Sequence, residues 1–334
     1  MAHAVDAIVT GAGGFIGGHL VRALSAEGRS VRAVDLKPVH EWCQPLDLSD
    51  VERVVADLRR PDEAARVLRG GASEVYNLAA DMGGMEFIER HKADCMLSVL
   101  ISTNVLVAAR EAGVDRFFYS SSACVYAADK QTDTDLVGLS EADAYPAMPE
   151  DGYGWEKLFS ERMARHFRED FGLATRVARY HNVYGPWGTW FGGREKVPAA
   201  ACRKVAEAAL TGNLDIEIWG DGEQTRSFTY IDDCVRGSMA LTRSDFADPL
   251  NIGSAEMVSI NQLYALVADI AGITPNWVHV PGALGVRGRN SDNTLVREVL
   301  GWEPSTSLRD GLTHTYRWVA EQVAARAAGA KFAN

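Results

Sequence analysis

The feature that most constrains the fold is a glycine-rich turn near the N-terminus. The apolar run at residues 7–10 is followed by Gly11-Ala12-Gly13-Gly14-Phe15-Ile16-Gly17, and a helical pattern occupies residues 15–27. The glycines permit a tight turn and close backbone approach, and a helix N-terminus offers N–H groups to an anion. This order predicts a dinucleotide site in which the cofactor contacts Gly11, Gly14, Phe15, Ile16 and Gly17.

Strand and helix patterns alternate through the first half of the chain. Apolar runs predict strands at residues 7–10, 31–35, 74–77, 116–120 and 175–179, and helical patterns predict helices at 15–27, 61–68, 92–112 and 155–171. The alternation indicates parallel β-α-β units, and therefore an α/β fold with a Rossmann-type doubly wound parallel sheet.

The pattern loosens after residue 184. It predicts helices at 198–210, 232–241 and 260–270, with short strands near 216–218 and 227–230. We therefore expect a mostly Rossmann NAD-binding domain at residues 1–183. A smaller mixed α/β substrate-binding region would occupy mainly residues 184–334, and part of this segment could return to the first domain.

Acidic residues after two of the apolar runs refine the cofactor prediction. Asp35 is placed to bind a ribose diol and would repel a 2′-phosphate, which favours NAD over NADP, although Lys37 weakens this preference slightly. Asp57 and Leu58 follow a further apolar run. We expect them near the cofactor, with Asp57 either at the adenine or merely a solvated turn residue.

Composition excludes several classes of function. With 34 basic and 45 acidic residues the formal net charge is −11, which argues against a nucleic-acid surface but permits a local basic pocket. The five cysteines have spacings typical of neither disulfides nor a metal site. No secretory leader pattern and no run of eighteen apolar residues is visible, so we expect a cytoplasmic protein with no membrane partner.

Two groups of residues suggest chemistry. Tyr153 and Lys157 are four residues apart on one predicted helix face, where the ammonium would favour a phenolate base, and Ser122 would hold a substrate hydroxyl. Cys124 follows Ser122 by two residues, and Lys196 ends a Gly-Gly-Arg-Glu-Lys run. Singly, Cys124 is more often a buried filler and Lys196 a solvated loop residue. A thiol two residues past Ser122 would lie beside the substrate rather than the nicotinamide, which suggests a separate proton-transferring centre, and a nearby cation would lower the pKa of this thiol.

On these motifs the chain resembles the extended short-chain dehydrogenase/reductases that act on nucleotide sugars, and within them the GDP-mannose 3,5-epimerases. The discriminating stretches are Ala79-Ala80-Asp81-Met82-Gly83-Gly84-Met85, Ser121-Ser122-Ala123-Cys124, Gly192-Gly193-Arg194-Glu195-Lys196 and Val286-Arg287-Gly288-Arg289. The chain departs from that family at Ala127-Ala128, where the family often has Pro-Glu, and in a longer stretch between residues 204 and 219. Both changes lie near loops expected to contact the substrate, and they leave the sugar and the product ratio open.

The resemblance implies an activity and roles for particular residues. Tyr153 and Lys157 would serve hydride transfer beside Ser122, and Cys124 and Lys196 would exchange protons. GDP-mannose would be oxidised transiently at C4 by NAD, inverted at C3 and/or C5, and reduced to GDP-L-galactose and/or GDP-L-gulose by a homodimer. The nucleotide sugar would contact Gly83, Asn182, Glu195, Lys196, Lys204, Gln224, Arg226, Arg287 and Arg289.

Three alternatives remain at this point. A 4-epimerase of the same fold would not need Cys124 and Lys196, and a 4,6-dehydratase would usually carry an acidic pair where this chain has Ala123-Cys124. A catalytically silent, NAD-sensing binding protein is disfavoured by the complete set of Ser122, Tyr153 and Lys157.

Overall fold

A seven-stranded parallel sheet organises the described part of the chain. The computed structural model describes residues 3–135, 138–282, 285–330 and 332. The strands are β1 (Val5–Thr10), β2 (Val31–Asp35), β3 (Val51–Val55), β4 (Ala72–Asn77), β5 (Arg116–Ser122), β6 (Ala174–Tyr180), β7 (Val183–Tyr184), β8 (Asp215–Trp219), β9 (Thr225–Ser227), β10 (Thr229–Tyr230), β11 (Leu250–Ile252), β12 (Met257–Ser259), β13 (Asn276–Val280) and β14 (Gly288–Arg289). The large sheet has the order β11-β6-β5-β4-β1-β2-β3, which confirms the predicted Rossmann-type fold.

Helices cover both faces of this sheet. They are α1 (Phe15–Ala26), α2 (Pro61–Leu68), α3 (Met85–Arg90), α4 (Lys92–Glu111), α5 (Tyr153–Phe171), α6 (Val197–Thr211), α7 (Ile231–Arg243), α8 (Ile260–Ala271), α9 (Thr294–Leu300) and α10 (Leu308–Ala327). Neighbouring strand residues such as Phe117 and Phe118 enter different hydrophobic clusters, because successive side chains point to opposite faces. Strands buried on both faces explain the continuous apolar runs in the sequence.

Helix α4 is long and apolar enough, by length and composition alone, to cross a membrane. In this fold it packs against α2 and α5. Its buried positions include Ser98, Ser102 and Val105. It therefore buries one side in this fold, and its other side carries exposed apolar residues such as Met96 and Leu100.

The C-terminal part is smaller and mixed, as predicted. Helices α6, α8 and α10 pack together, β8 pairs with β13, and β9 pairs with β12 and β14. The expected strand at 227–230 is instead divided into β9 and β10. The chain also returns to the large sheet, because β11 pairs in parallel with β6. The domain limits at residues 183 and 184 stay a prediction.

Candidate active site

A cavity of about 820 Å³ opens at the carboxyl ends of the central strands. Gly11 follows β1, Leu78 follows β4, Ser122 ends β5 and Asn182 follows β6, and all four residues line it. Ligands of doubly wound sheets bind at this edge. Loops from the C-terminal part close the other side, so the cavity lies between the large sheet and the smaller region.

The glycine turn forms a cradle at one end of the cavity. Gly11 has a φ of 71°, a left-handed backbone that favours glycine. A Cβ on Gly17 would lie 2.1 Å from the Gly11 carbonyl oxygen, so only glycine lets α1 begin this close to the turn. The first N–H groups of α1 therefore face the position that a pyrophosphate would occupy. Phe15 and Ile16, also predicted at the cofactor, line the same wall.

Acidic residues at the ends of β2 and β3 complete this part of the wall. The Asp35 carboxylate accepts the N–H groups of Gly13 at 2.9 Å and Lys37 at 3.0 Å, which fixes it beside the cradle. Cradle and carboxylate together fit NAD, because a fixed carboxylate binds a ribose diol. Asp57 and Leu58 also line the cavity, and both Asp57 oxygens accept hydrogen bonds of 2.8 Å from Arg59.

Tyr153 and Lys157 project into the cavity from the start of α5. Both are buried, and the Lys157 Nζ lies 5.5 Å from the centre of the Tyr153 ring. Burial raises the pKa of Tyr153 well above its ordinary value, although a hydrogen bond with Ser122 opposes this shift. Burial therefore favours the protonated phenol in the protein without its cofactor. A phenolate favoured by Lys157 together with the positive nicotinamide stays a prediction.

A buried carboxylate that the sequence did not single out holds Lys157. The Lys157 Nζ lies 3.6 Å from Glu156 Oε2. The other oxygen of Glu156 accepts hydrogen bonds from Tyr119 at 3.2 Å and Ser160 at 3.1 Å. This network fixes the ammonium near the Tyr153 ring.

Cys124 lies in a single 3₁₀ turn directly after β5. The Ser122 hydroxyl oxygen accepts the Cys124 N–H at 3.2 Å, and the loop before α5 packs closely on this turn. A Cβ on Gly154 would lie 2.3 Å from the Cys124 carbonyl oxygen. The thiol is buried, lines the cavity, and accepts a hydrogen bond from Arg289 Nη1 with a distance of 3.6 Å to Sγ.

The pKa values of the thiol and of Lys196 shift in opposite directions. Burial, together with the Glu150 carboxylate, raises the pKa of Cys124 to about 11 despite the opposing charge of Arg289. The nearby cation lowers this pKa as predicted, but burial and Glu150 outweigh it, so the net shift is upward. Burial lowers the pKa of Lys196, and Cys124 partly opposes this. At neutral pH the pair is thus biased toward a thiol that donates a proton and an amine that accepts one.

Glycines in two loops explain how Lys196 reaches the cavity. The Gly84 N–H donates to the Arg194 carbonyl at 3.1 Å, and a Cβ on Gly84 would lie 2.7 Å from the Glu195 carbonyl oxygen. The Glu195 carboxylate accepts the Gly193 N–H at 2.7 Å and pairs with Arg203 at 3.1 Å, which holds the loop against α6. The predicted substrate residue Glu195 therefore also shapes the loop that presents Lys196.

The structure brings most predicted substrate residues to one cavity. Those that line it are Gly83, Asn182, Glu195, Lys196, Lys204, Gln224, Arg226 and Arg289. The Gln224 Oε1 is buried and has no hydrogen-bond partner among the described residues, so this amide has acceptor capacity for a ligand. Arg287 is the exception. It lies outside the cavity wall, and its guanidinium pairs with Asp221 at 2.9 Å.

Two arginines concentrate positive charge in this wall. Arg226 and Arg289 are both buried. Burial, followed by the charge of Arg289, lowers the pKa of Arg226 to about 9. Like charges this close are unfavourable, and an anionic ligand would relieve the repulsion. The wall therefore provides a local basic site in an acidic chain.

Sequence reasoning missed two further residues around Arg289. Gln131 Oε1 accepts the Arg289 Nε–H at 2.7 Å, and the Glu150 carboxylate pairs with Arg289 Nη2. Glu150 precedes Tyr153 by three residues, but its partner is 139 residues away in the chain. Among the described residues, no group of three His, Cys, Asp or Glu side chains is placed to hold a metal ion.

Comparisons with known proteins agree over most of the chain. Residues 7–253 match the NAD dependent epimerase/dehydratase family. GDP-mannose 3,5-epimerase 1 of Oryza sativa subsp. japonica is 51% identical over 316 residues, 94% of this chain and 82% of the rice protein. GDP-mannose 3,5-epimerase of Arabidopsis thaliana is 49% identical, with the same coverage of both chains.

Solved structures share the whole fold. UDP-glucose 4-epimerase of Thermotoga maritima, solved with UDP-glucose, superimposes with a TM-score of 0.84 at 26% identity over 95% of this chain and 99% of that chain. MoeE5, solved with UDP-glucuronic acid and NAD, gives a TM-score of 0.80 at 32% identity with the same coverage. With the glycine cradle and the cavity in place, these matches show that the chain belongs to the NAD-dependent epimerase/dehydratase family.

Proposed function

We propose that this protein is a GDP-mannose 3,5-epimerase. The observation that carries the proposal is that one cavity holds both the hydride-transfer set and the thiol–amine pair formed by Cys124 and Lys196. A simple 4-epimerase needs only the hydride-transfer set of Ser122, Tyr153 and Lys157. The name of the rice and Arabidopsis relatives, which are about half identical to this chain, supports the same activity.

The residues divide the reaction between two centres. Tyr153 takes the proton of the C4 hydroxyl while Ser122 holds that hydroxyl. When bound, NAD supplies the reversible acceptor for the C4 hydride. A C4 carbonyl acidifies the hydrogens on C3 and C5, since the carbanion at either carbon is an enolate. Tyr153 returns its proton to the C4 oxygen at the end.

Inversion requires proton removal from one face of the ring and delivery to the other. Cys124 and Lys196 come from different parts of the chain and line the same cavity. A thiol biased toward donation and an amine biased toward acceptance can exchange these protons near neutral pH. Inversion at both carbons gives GDP-L-galactose, and inversion at C5 alone gives GDP-L-gulose.

The basic residues in the cavity wall favour a substrate that carries a nucleotide diphosphate. Arg226 lies in this wall, and a planar guanidinium suits contacts to phosphate oxygens. Arg289 adds positive charge beside it, although Gln131, Cys124 and Glu150 occupy its donors. Lys204 adds a third cation to the wall, although its Nζ also donates to the Glu217 carbonyl at 2.7 Å. We propose that this cluster holds the diphosphate of the nucleotide sugar.

We also propose that two copies assemble through α4 and α5. These helices pack together and leave large apolar side chains exposed, namely Met96, Leu97, Leu100, Trp155 and Phe159. Contiguous exposed apolar surface of this kind typically marks an interface. Sedimentation should give a dimer, and Phe159→Glu, at the most exposed of these positions, should shift the protein toward the monomer. A monomeric native protein would contradict this assembly.

Product analysis tests the activity. NAD-loaded protein is incubated separately with GDP-mannose and UDP-glucose, and the products are identified by NMR. We expect GDP-L-galactose and/or GDP-L-gulose from GDP-mannose with no net NADH. Cys124→Ala and Lys196→Met should lose these products but keep NAD binding, because neither residue forms the glycine cradle.

Other outcomes would assign the fold to another function. Interconversion of UDP-sugars at C4, with GDP-mannose unchanged, would identify a 4-epimerase. A 4-keto-6-deoxy product would identify a 4,6-dehydratase. Bound NAD without turnover of any sugar would leave an NAD-sensing binding protein.

A further inference from the structure

Glu150 is joined to the Cys124 turn through the backbone. Its N–H donates to the Cys124 carbonyl at 3.0 Å. The same carbonyl lies against Gly154, where any Cβ would be 2.3 Å away. The segment that carries Glu150 is therefore fixed on the thiol-bearing turn rather than free to move with the surface loop before α5.

The Glu150 side chain is also held. It is 11% exposed and forms an ion pair with Arg289, whose side chain is 6% exposed. Arg289 reaches the thiol with Nη1 and Gln131 with Nε, so its fork is oriented by three partners. The Glu150 Oε2 is buried and has no hydrogen-bond partner among the described residues. A buried carboxylate in this position has a strong electrostatic effect on whatever lies beside it.

Several ionisable groups surround the thiol. Glu150 and Arg289 act on Cys124 with opposite signs. The thiol in turn affects the pKa values of Tyr153, Lys196 and Arg226. Within this set Glu150 supplies the carboxylate, because the other four side chains are a phenol, an amine and two guanidiniums.

The balance between Glu150 and Arg289 decides whether the thiol keeps its proton. With the carboxylate present, Arg289 has a counter-ion. Without it, the guanidinium would be a buried charge whose nearest ionisable partner is the Cys124 thiol, 3.6 Å from Nη1. The thiol would then ionise more readily, because its thiolate would partly neutralise this charge. Burial also favours the uncharged thiol, so it acts in the same direction as the Glu150 carboxylate.

We propose that Glu150 is a positioning residue for Cys124. Its carboxylate holds Arg289 against the thiol and neutralises that guanidinium, so Cys124 stays protonated and acts as the proton donor of the pair. The inference rests on the proposed function, in which Cys124 exchanges protons with the sugar.

The test measures thiolate formation directly. Cys124 is alkylated with iodoacetamide at one neutral pH, and the rate is followed by mass spectrometry of its peptide. Glu150→Gln keeps the shape but removes the charge, and should speed alkylation about threefold or more, because a gain of about tenfold in thiolate is partly offset by the lower nucleophilicity of a thiolate with a lower pKa. Arg289→Gln should slow it, because the thiolate loses its cation while the carboxylate remains.

Alkylation rates that change in opposite directions in the two variants distinguish an electrostatic role of Glu150 from a structural one. Loosening of the fold would speed alkylation in both variants. Glu161→Gln is the matched control, because it breaks an equally buried pair with Arg179, 2.7 Å apart, and Glu161 is not among the groups that shift the thiol. It should leave the rate unchanged. If Glu150→Gln does not fold, Arg289→Gln still tests the sign.

A native alkylation rate in folded Glu150→Gln, or faster alkylation in Arg289→Gln, would overturn the inference. Neither result depends on sugar turnover. Failure of the native protein to convert GDP-mannose would overturn the proposed function instead, whatever the alkylation rates.

Discussion

Gly17→Ala should force the start of α1 away from the glycine turn. The new Cβ would lie 2.1 Å from the Gly11 carbonyl oxygen, 2.7 Å from the Gly11 carbonyl carbon and 2.9 Å from the Ala12 Cα. All three atoms belong to backbone, so no side chain can swing away. An ordinary contact begins at 3.4 Å, so the turn and α1 must separate by about 1.3 Å, from 2.1 to 3.4 Å.

The cost follows from this displacement. Overpacking of this kind costs about 1–3 kcal/mol, against which alanine gains up to about 1 kcal/mol of helix propensity. We expect the free energy of unfolding to fall by about 1–2 kcal/mol. The same displacement moves the α1 N–H groups away from the pyrophosphate, so the Kd for NAD should rise about tenfold or more, or ~1.4 kcal/mol.

Gly18→Ala is the matched control in the next position of the same helix. Its Cβ would meet only the buried Gln44 side chain, with the amide nitrogen 2.9 Å away, and not the backbone of the turn. The Gln44 side chain must shift, so stability should fall by less than in Gly17→Ala, and NAD affinity should stay unchanged. Calorimetric titration with NAD and urea unfolding measure both effects. If Gly17→Ala binds NAD with native affinity, or if both variants lose equal affinity and stability, the proposed role of the glycine turn is wrong.

Three further predictions follow from the site and the core. Tyr153→Phe should keep NAD binding but lose about 10²–10⁴-fold in turnover, because the base for the C4 hydroxyl is gone. Substantial turnover, measured by chromatography of the nucleotide sugars, would exclude that role. Asp35→Asn should narrow the ratio of NAD to NADP affinity, since a neutral amide no longer repels a 2′-phosphate. An unchanged ratio in calorimetry would contradict the role of Asp35. Burial lowers the pKa of His181 from 6.5 to about 4, so the unfolded chain takes up the proton first as the pH falls. Stability from this group is therefore complete above pH 6.5 and declines by about 3 kcal/mol toward pH 4. Urea unfolding across this range should show the loss, which a His181→Gln variant should lack; an identical pH dependence in both proteins would contradict it.

Local patterns predicted much of the sheet, whereas elements that depend on distant pairing were missed. Strands such as β1 and β5 are buried on both faces, so they leave continuous apolar runs in the sequence. The edge strand Val51–Val55 is largely exposed and carries charges. Leu250–Ile252 has only three residues and becomes a strand through pairing with β6. The first leaves an apolar run before Asp57 that its charges keep from being assigned as a strand, and the second is too short to be separated from a loop.

The site residues likewise fall into those that local spacing groups and those whose role depends on a distant partner. Ser122, Cys124, Tyr153 and Lys157 lie on two short segments, and spacing alone groups them. The role of Glu150 depends on a partner 139 residues away. The pKa of the Cys124 thiol depends on burial and two opposing charges, so the expected effect of one nearby cation did not predict the direction of the net shift.

Neighbouring motif residues were equally hard to separate by sequence. Arg287 and Arg289 lie in one arginine-rich run, yet Arg287 pairs with Asp221 outside the cavity wall. Arg289 is buried in that wall. The difference depends on which acidic partner the folded chain brings to each guanidinium.

Deuterium incorporation from solvent tests whether the protein exchanges protons at C3 and C5 of the sugar. NAD-loaded protein is incubated with GDP-mannose in D₂O, and the recovered nucleotide sugars are examined by NMR. The two-centre account predicts deuterium at C3 and C5, or at C5 alone for a 5-epimerase, together with new L-sugar signals and no net NADH; Cys124→Ala should lose this exchange. No deuterium at either carbon, with native NAD-loaded protein that still oxidises and reduces C4, would contradict the account.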